Sequence, residues 1–116
     1  MNAVPHASEF GEDLENALRS VDAVLAHKDN HESVGEISGR FSVAVRSVVH
    51  LRNGITAANR AGTALPGTPS LDHVNALISL MAGIEYPLAG IHWSRIQRVR
   101  DDLTQMLAAQ QVVRPT

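Results

Sequence analysis

Apolar residues recur along this chain at intervals of three and four, the period of an α-helix, and no long stretch alternates as a β-strand would. The most regular run starts after Ser33 and keeps a heptad spacing to Ala58. Its members are Val34, Ile37, Phe41, Ala44, Val48, Leu51, Ile55 and Ala58. The pattern predicts an all-α fold in which this segment is the longest helix.

Three further apolar stripes predict the other helices. They are Phe10, Leu14, Ala17, Leu18, Val21, Val24 and Leu25; Leu71, Val74, Leu77, Ile78, Met81 and Ile84; and Leu88, Ile91, Ile96, Val99, Leu103 and Met106. Ser8 is expected to cap the first helix, which ends near Lys28. Ser33 and Glu36 form a capping-box pattern that predicts the start of the second helix.

Two breaks organise the second half of the chain. Residues 60–70 contain two Gly and two Pro and predict a linker between two helical hairpins, with Thr68 or Ser70 capping the next helix. Pro87 lacks an N–H and disfavours helical geometry at the residue before it. We therefore expect an antiparallel helical bundle of four helices, or of three with the last kinked near Pro87.

Length and composition indicate one domain over residues 1–116, with tails at 1–7 and 113–116. The chain has 44% apolar and 19% charged residues and no Cys. These values exclude a disordered polyelectrolyte, a disulfide framework and a thiolate metal site. No apolar run has the length of a membrane span, and the first residues lack a signal-peptide pattern, so we expect a cytoplasmic protein.

Charge is segregated along the chain. Residues 1–36 carry eight acids and two basic residues, a net −6, and the remainder carries eight Arg and four acids, a net +4. An acidic first helix can lie along basic later helices, or a basic face can remain for an anionic partner. The Arg excess, in a chain with 15 Ala, is also explained by compositional bias alone.

Motifs for catalysis or metal binding do not stand out. No Glu is followed by His three residues later, as a di-iron bundle requires, and no phosphate-binding loop or nucleophile motif occurs. His27 and His31 have i, i+4 spacing across a predicted turn. His92 continues the apolar seam of the last helix, one heptad after Glu85, as a ligand or as a register-fixing histidine. We expect no enzyme activity, no metal and no cofactor.

Two surfaces lie outside the apolar stripes, which we call the seams of the helices, and both are candidate binding sites. On the long helix, off-seam glycines at 35, 39 and 54 accompany the polar residues Arg46, His50 and Asn53, which indicates either close approach of another backbone or an irregular first turn. On the last helix, Tyr86, Trp93, Gln97 and Arg100 share one stripe. Tyr, Trp and Arg dominate interface energetics, although Trp93 can equally pack against a neighbouring helix.

The function that these patterns favour is a non-catalytic protein-binding module. Such a chain can be a small adaptor, or an inhibitor of a larger partner of the kind that phages and mobile elements encode, and the heptad seams favour a homodimer or other homo-oligomer. The alternative is a nucleic-acid-binding bundle, and a His-based metal- or cofactor-binding bundle comes third. The Arg residues of the alternative are Arg46, Arg52, Arg60, Arg95, Arg98 and Arg100.

Overall fold

Four α-helices make up most of the part of the chain that the structure describes. A computed structural model describes residues 6–26, 34–63, 67–85 and 93–112. The helices are α1 (His6–Ala26), α2 (Val34–Ala61), α3 (Leu71–Glu85) and α4 (Trp93–Val112). Because α3 and α4 are separate helices, the prediction of four helices is confirmed over that of three with a kink.

The helices form a closed ring in which each contacts two others. α1 packs against α2 and α4, and α3 packs against the same two, while the diagonal pairs make no contact among the described residues. Phe10 lies against Gly54 and Asp13 pairs with His50, so residue numbers rise along α1 as they fall along α2. This is the antiparallel arrangement that the sequence predicts.

The same reasoning orients α4 and α3. Asp22 at the end of α1 pairs with Arg100 near the start of α4, so these two helices are antiparallel. His73 at the start of α3 and Ala109 near the end of α4 line one cavity, so α3 and α4 are antiparallel as well. α3 therefore runs parallel to α1 and completes an up-down-up-down bundle.

The heptad seams supply the core. In each helix the buried apolar side chains follow the predicted alternation of three and four, which places them on the side that faces the bundle axis. The buried residues are Phe10, Leu14, Ala17, Val21, Val24, Ile37, Phe41, Ala44, Val48, Leu51, Ile55, Ala58, Val74, Leu77, Met81, Ile84, Ile96, Val99, Leu103 and Met106. Where the structure describes their side chains, most members of the predicted stripes are buried, and the exceptions are only partly buried beside the core: Leu18, Leu25, Leu71 and Ile78.

The end of α2 and the start of α3 have clear local causes. Gly62 has φ +71°, its N–H bonds to the Asn59 carbonyl, and the Thr63 N–H bonds to the Ala58 carbonyl. This is a Schellman motif, which needs a residue that tolerates the left-handed conformation. At α3, the Ser70 hydroxyl accepts the His73 N–H at 3.2 Å. The sequence predicts Thr68 or Ser70 as the cap of this helix, and Ser70 is the one that makes the capping hydrogen bond.

Some predicted boundaries differ from the structure. α1 begins at His6, so Ser8 lies inside the helix and the predicted tail 1–7 is too long. α2 continues to Ala61, so the linker begins two residues later than predicted. A capping residue type such as Ser does not by itself mark the first residue of a helix, because neighbouring residues can also adopt helical geometry. The predicted end of α1 near Lys28 and the start of α4 at 88 lie outside the described residues.

The off-seam glycines of α2 have different surroundings. A Cβ at Gly54 would lie 2.9 Å from Cε1 of the buried Phe10 ring, so glycine makes room for an α1 side chain rather than for a backbone. A Cβ at Gly39 would meet nothing within 4 Å. Close approach therefore explains Gly54 within the bundle and does not explain Gly39.

A polar residue does occupy the α4 seam, but it is Gln110. It follows Met106 at the expected spacing and is 9% exposed. Among the described residues its Nε2 has no acceptor, and its Oε1 lies toward Gly11 of α1. The predicted seam residue His92 and the side chain of Glu85 lie outside what the structure describes.

Candidate functional site

The flank of α4 that faces α1 carries most of the predicted interface stripe. Trp93, Gln97 and Arg100 follow one another at spacings of four and three, so they share one side of the helix. Arg100 donates from Nε to the Asp22 Oδ1 at 2.7 Å, which shows that this side is the one turned toward α1. Tyr86, the fourth residue of the stripe, lies outside the described residues.

The Arg100 side chain is held in place but remains accessible. The Arg100 and Asp22 side chains are 40% and 47% exposed. Within the described part of the chain, the bond to Asp22 is the one hydrogen bond of the Arg100 side chain, and it uses Nε alone. The two Nη groups therefore remain available to a carboxylate or carbonyl of another molecule.

Trp93 is half-buried and packs against the core. Part of the indole therefore contacts its own bundle and part faces solvent. This half-burial agrees with both roles expected from the sequence, which are packing against a neighbouring helix and contact with a partner. The prediction that Trp93 belongs to a partner interface stays a prediction.

Half-buried leucines extend this region along α4 and along the second half of α1. Leu18 and Leu25 of α1 and Leu107 of α4 are partly exposed and lie next to the core. Each occupies the seam-flanking position on the side where its helix meets the other. We call the residues Leu18, Leu25, Trp93, Gln97, Arg100 and Leu107 the α1–α4 surface.

Gln97 is exposed and forms a local contact only. Its Nε2 donates to Asp101 Oδ1 at 3.2 Å, one helical turn away. Such a contact on a solvent-facing helix contributes a few tenths of a kcal/mol, about the value of other i, i+4 pairs. Gln97 is therefore positioned on the surface without being committed to a partner helix.

The predicted residues of α2 form a separate group. Arg46 is exposed, and Asn53 Oδ1 accepts hydrogen bonds from the Arg52 guanidinium at 3.2 and 3.4 Å. His50 Nδ1 lies 2.8 and 3.0 Å from the two carboxylate oxygens of Asp13. Because α2 and α4 are diagonal, α1 lies between this group and the α4 stripe.

We call the outward residues Gly39, Val43, Arg46, His50 and Asn53 the α2 strip. Val43 is 42% exposed and is the one large exposed hydrophobic residue among those whose exposure is described. The strip and the α1–α4 surface are distinct places on the molecule. The sequence also predicts them as two surfaces, one on each helix, and α2 and α4 make no contact among the described residues.

The sequence did not identify the acidic residues that organise both groups. Asp13 is only 14% exposed beside His50, and Asp22 holds Arg100. The Asp22–Arg100 pair joins the acidic first helix to a basic residue of α4, which agrees with one of the two charge alternatives expected. Asp13 and Asp22 both lie on the flanks of the α1 apolar seam, and this position in the sequence could have identified them.

The six Arg of the nucleic-acid alternative are divided between two helices. Arg46, Arg52 and Arg60 lie on α2, and the other three, Arg95, Arg98 and Arg100, lie on the diagonally opposite α4. Phosphate recognition favours basic groups clustered on one face. The arrangement gives that alternative no added support.

The described residues contain neither a cluster of metal-ligating side chains nor a membrane-spanning helix. In residues 6–26, 34–63, 67–85 and 93–112, no group of three or more His, Asp or Glu could hold a metal ion. His27, His31 and His92 lie outside these ranges. No helix in the described part of the chain combines the length and apolar character needed to span a bilayer.

Comparison with known proteins identifies no relative. No family model matches the chain, and neither curated proteins nor solved structures provide a match.

Proposed function

We propose that this protein is a non-catalytic protein-binding module that binds its partner through the α1–α4 surface. The observation that supports this best is the pairing of a half-buried Trp93 with an accessible Arg100 on one flank of α4. Trp and Arg are the residue types that most often supply the energetic centre of a protein interface. The neighbouring leucines would provide the surrounding apolar contact.

The geometry of Arg100 supports this proposal physically. Asp22 holds the guanidinium through Nε, so the side chain loses less conformational freedom when a partner binds than a free Arg would. Preorganisation of this kind strengthens binding without adding contacts. An accessible Nη pair two helical turns from an indole, on the same side of α4, suits a partner that offers a carboxylate and an apolar side chain at matching positions.

The biological form of this function is an adaptor, or an inhibitor that covers part of a larger protein, acting in the cytoplasm. A bundle of 116 residues is large enough to present one stable helix pair to a partner. Either role requires binding alone, without chemistry by the bundle itself.

The first test is affinity capture with the full chain from lysate of the source cell. We expect a specific partner to be retained by wild type and lost with Trp93→Ala and with Arg100→Ala. Arg98→Ala is the matched control, because Arg98 lies on the same helix but not on the α1–α4 surface, and it should retain the partner. Equal retention by all four proteins would refute the assignment of the surface.

Thermal and denaturant unfolding of Trp93→Ala separates binding from folding. Because the indole is half-buried, we expect a loss of about 1–3 kcal/mol, less than the 3–5 kcal/mol of a fully buried Trp. Partner affinity should fall by roughly 2 kcal/mol or more after correction for the folded fraction. A variant that is strongly destabilised yet binds in proportion to its folded fraction would show that Trp93 acts only in the core.

We also propose that the protein self-associates through the α2 strip. Gly39 leaves open space on this strip and Val43 exposes its apolar side chain, so a second helix can approach closely. Sedimentation equilibrium should show a dimer at micromolar concentration, and Val43→Glu should shift it to the 12.5 kDa monomer. Ala76→Glu, on the exposed side of α3, should leave the dimer intact. A wild type that is monomeric throughout would refute this proposal.

A further inference from the structure

A cavity of about 330 Å³ lies where α3 begins and α4 ends. The turn at residues 67–69 forms one wall, and His73 on the first turn of α3 forms a second. Gln105, Met106 and Ala109 of α4 form the third. Its volume is at the lower end of the range that small-ligand sites occupy.

This cavity is a different place from the α1–α4 surface. Gln105 and Ala109 are on the flank of α4 that faces α3, whereas Arg100 is on the flank that faces α1. A ligand in the cavity would therefore leave the proposed protein interface uncovered. The inference below does not depend on the proposed function.

The local hydrogen bonds hold the first turn of α3 in place. The Ser70 hydroxyl accepts the His73 N–H at 3.2 Å, and the Ser70 carbonyl accepts the Val74 N–H at 3.0 Å. Gly67 has φ +86°, a conformation that suits glycine and shapes the turn opposite α4. These features form the wall before any ligand binds, which lowers the cost of binding.

The lining favours an aromatic ring. Met106, which is almost fully buried, is among the lining residues, and methionine sulfur makes favourable contacts with aromatic rings. Pro69 and Gly67 add unbranched surface to the lining. A planar ring fits between such walls with more contact than a branched aliphatic group of equal volume.

The polar groups of the lining define the rest of the ligand. The His73 imidazole and the Gln105 amide can each form hydrogen bonds to a ring edge. No Asp, Glu, Lys or Arg occurs among the described residues that line the cavity. The described lining therefore combines apolar surface with hydrogen-bonding groups, which suits an uncharged ring with a polar edge.

We propose that this cavity binds a small, uncharged aromatic ring with a polar edge, of which indole is the simplest example. The ring stacks between Met106 and Pro69, and its N–H or ring heteroatom bonds to Gln105 or His73. The same ring chemistry is available as a free heterocycle and as a tryptophan side chain. The experiment distinguishes these two sources.

The test is a titration of the ¹⁵N-labelled full chain, followed by backbone amide shifts, with three probes. Indole represents the free ring, N-acetyl-tryptophanamide represents the ring on a peptide, and cyclohexylmethanol represents an uncharged aliphatic ring. We expect indole to shift the amides of residues 105–109 and 67–73 and to saturate on the order of millimolar, as befits so small a ligand. Cyclohexylmethanol should bind at least about fivefold more weakly.

The relative affinities assign the source. Tighter binding of N-acetyl-tryptophanamide than of indole supports a tryptophan side chain, and weaker binding supports a free heterocycle. Equal binding of indole and cyclohexylmethanol would overturn the proposal, as would shifts that map elsewhere or no saturable shift at all.

Two substitutions test the location. Ala109→Leu fills the cavity from an exposed position and should weaken indole binding roughly tenfold or more, since a filled cavity cannot accept the ring. Ala108→Leu adds the same group at the neighbouring exposed position outside the cavity and should change binding by less than about twofold. Unchanged binding in Ala109→Leu would overturn the site.

Gln105→Leu provides an independent variant. Gln105 is exposed, so its replacement should not disturb the core. Loss of one hydrogen bond should weaken indole about fivefold and leave cyclohexylmethanol unaffected. Equal weakening of both probes would contradict recognition of the ring edge. Circular dichroism of each variant confirms that the bundle is folded.

Discussion

The two junctions that α1 makes with its neighbours are closed by different kinds of side chain. Toward α2 the flanking positions carry small residues, half-buried Ser20 and Ser47 and also Gly54, against which the Phe10 ring packs. Toward α4 the flanking positions around Arg100 carry Leu and Trp, whereas Gly11 lies beside Gln110 at the other end of that junction. Small flanks let two helices approach closely, whereas bulky flanks leave part of their apolar surface in water.

The ion pairs follow the same division. At the α1–α2 junction Asp13 is nearly buried beneath His50, while at the α1–α4 junction both Asp22 and Arg100 are about half exposed. One junction therefore contributes mainly to holding the bundle together. The α1–α4 junction keeps apolar and cationic groups accessible, and for this reason we propose that the partner binds at that junction.

The largest effect is expected from adding side-chain volume at the tight junction. Gly54→Val should destabilise the protein by about 2–3 kcal/mol, because a Cβ there would already be 2.9 Å from the buried Phe10 ring. Gly83→Val on α3 is the matched control, where a Cβ meets nothing within 4 Å among the described residues, and should be neutral or slightly stabilising. Denaturant midpoints measure both, and equal effects would mean that the junction is not tightly packed.

A smaller effect of opposite sign is expected at the α1–α4 junction. Gln110→Met should stabilise the protein by about 1–2 kcal/mol, because it removes a buried amide whose Nε2 has no acceptor among the described residues. Rotating the amide by 180° would only exchange the polar atom that points into the core. Gln105→Met, at an exposed site, should stay within about 0.5 kcal/mol of wild type. A destabilised Gln110→Met would show that the amide has a partner in solution.

The smallest effect is expected from the exposed ion pair. A double-mutant cycle with Asp22→Asn and Arg100→Gln should give a coupling energy of about 0.5 kcal/mol that disappears in 1 M salt. The equivalent cycle with Asp13→Asn and His50→Gln, measured where His50 is protonated, should give a larger and less salt-sensitive value because Asp13 is shielded. The reverse order would contradict the contrast between the junctions.

Part of this fold could be predicted because its signals are local. The run from Ile37 to Ala58 keeps its heptad spacing without interruption, and every member is buried. A side chain's place on its own helix depends only on the helical period, so the seams can be identified before the helices are assembled. The caps are similarly local, although Gly62 as a left-handed stop was not identified.

The candidate site was predictable only in part. The shared side of Trp93 and Arg100 follows from their spacing, and both are accessible. That this side faces α1, that α2 lies diagonal to α4 and that Asp22 reaches Arg100 depend on the order of helices around the ring. Spacing along one helix carries no information on that order.

The sequence by itself determined the all-α class, the amphipathic stripes and most of the residues that meet at their centre, and it left open whether the last two stripes form two helices or one kinked helix. The tertiary structure alone decided that question, and also which flank of each seam faces which neighbour, which polar groups pair and which surface stays open. Seam burial is driven by non-directional apolar contact that any ring order satisfies. Pairing Asp13 with His50, and leaving Gln110 without an acceptor among the described residues, requires the particular positions that a single packed arrangement provides.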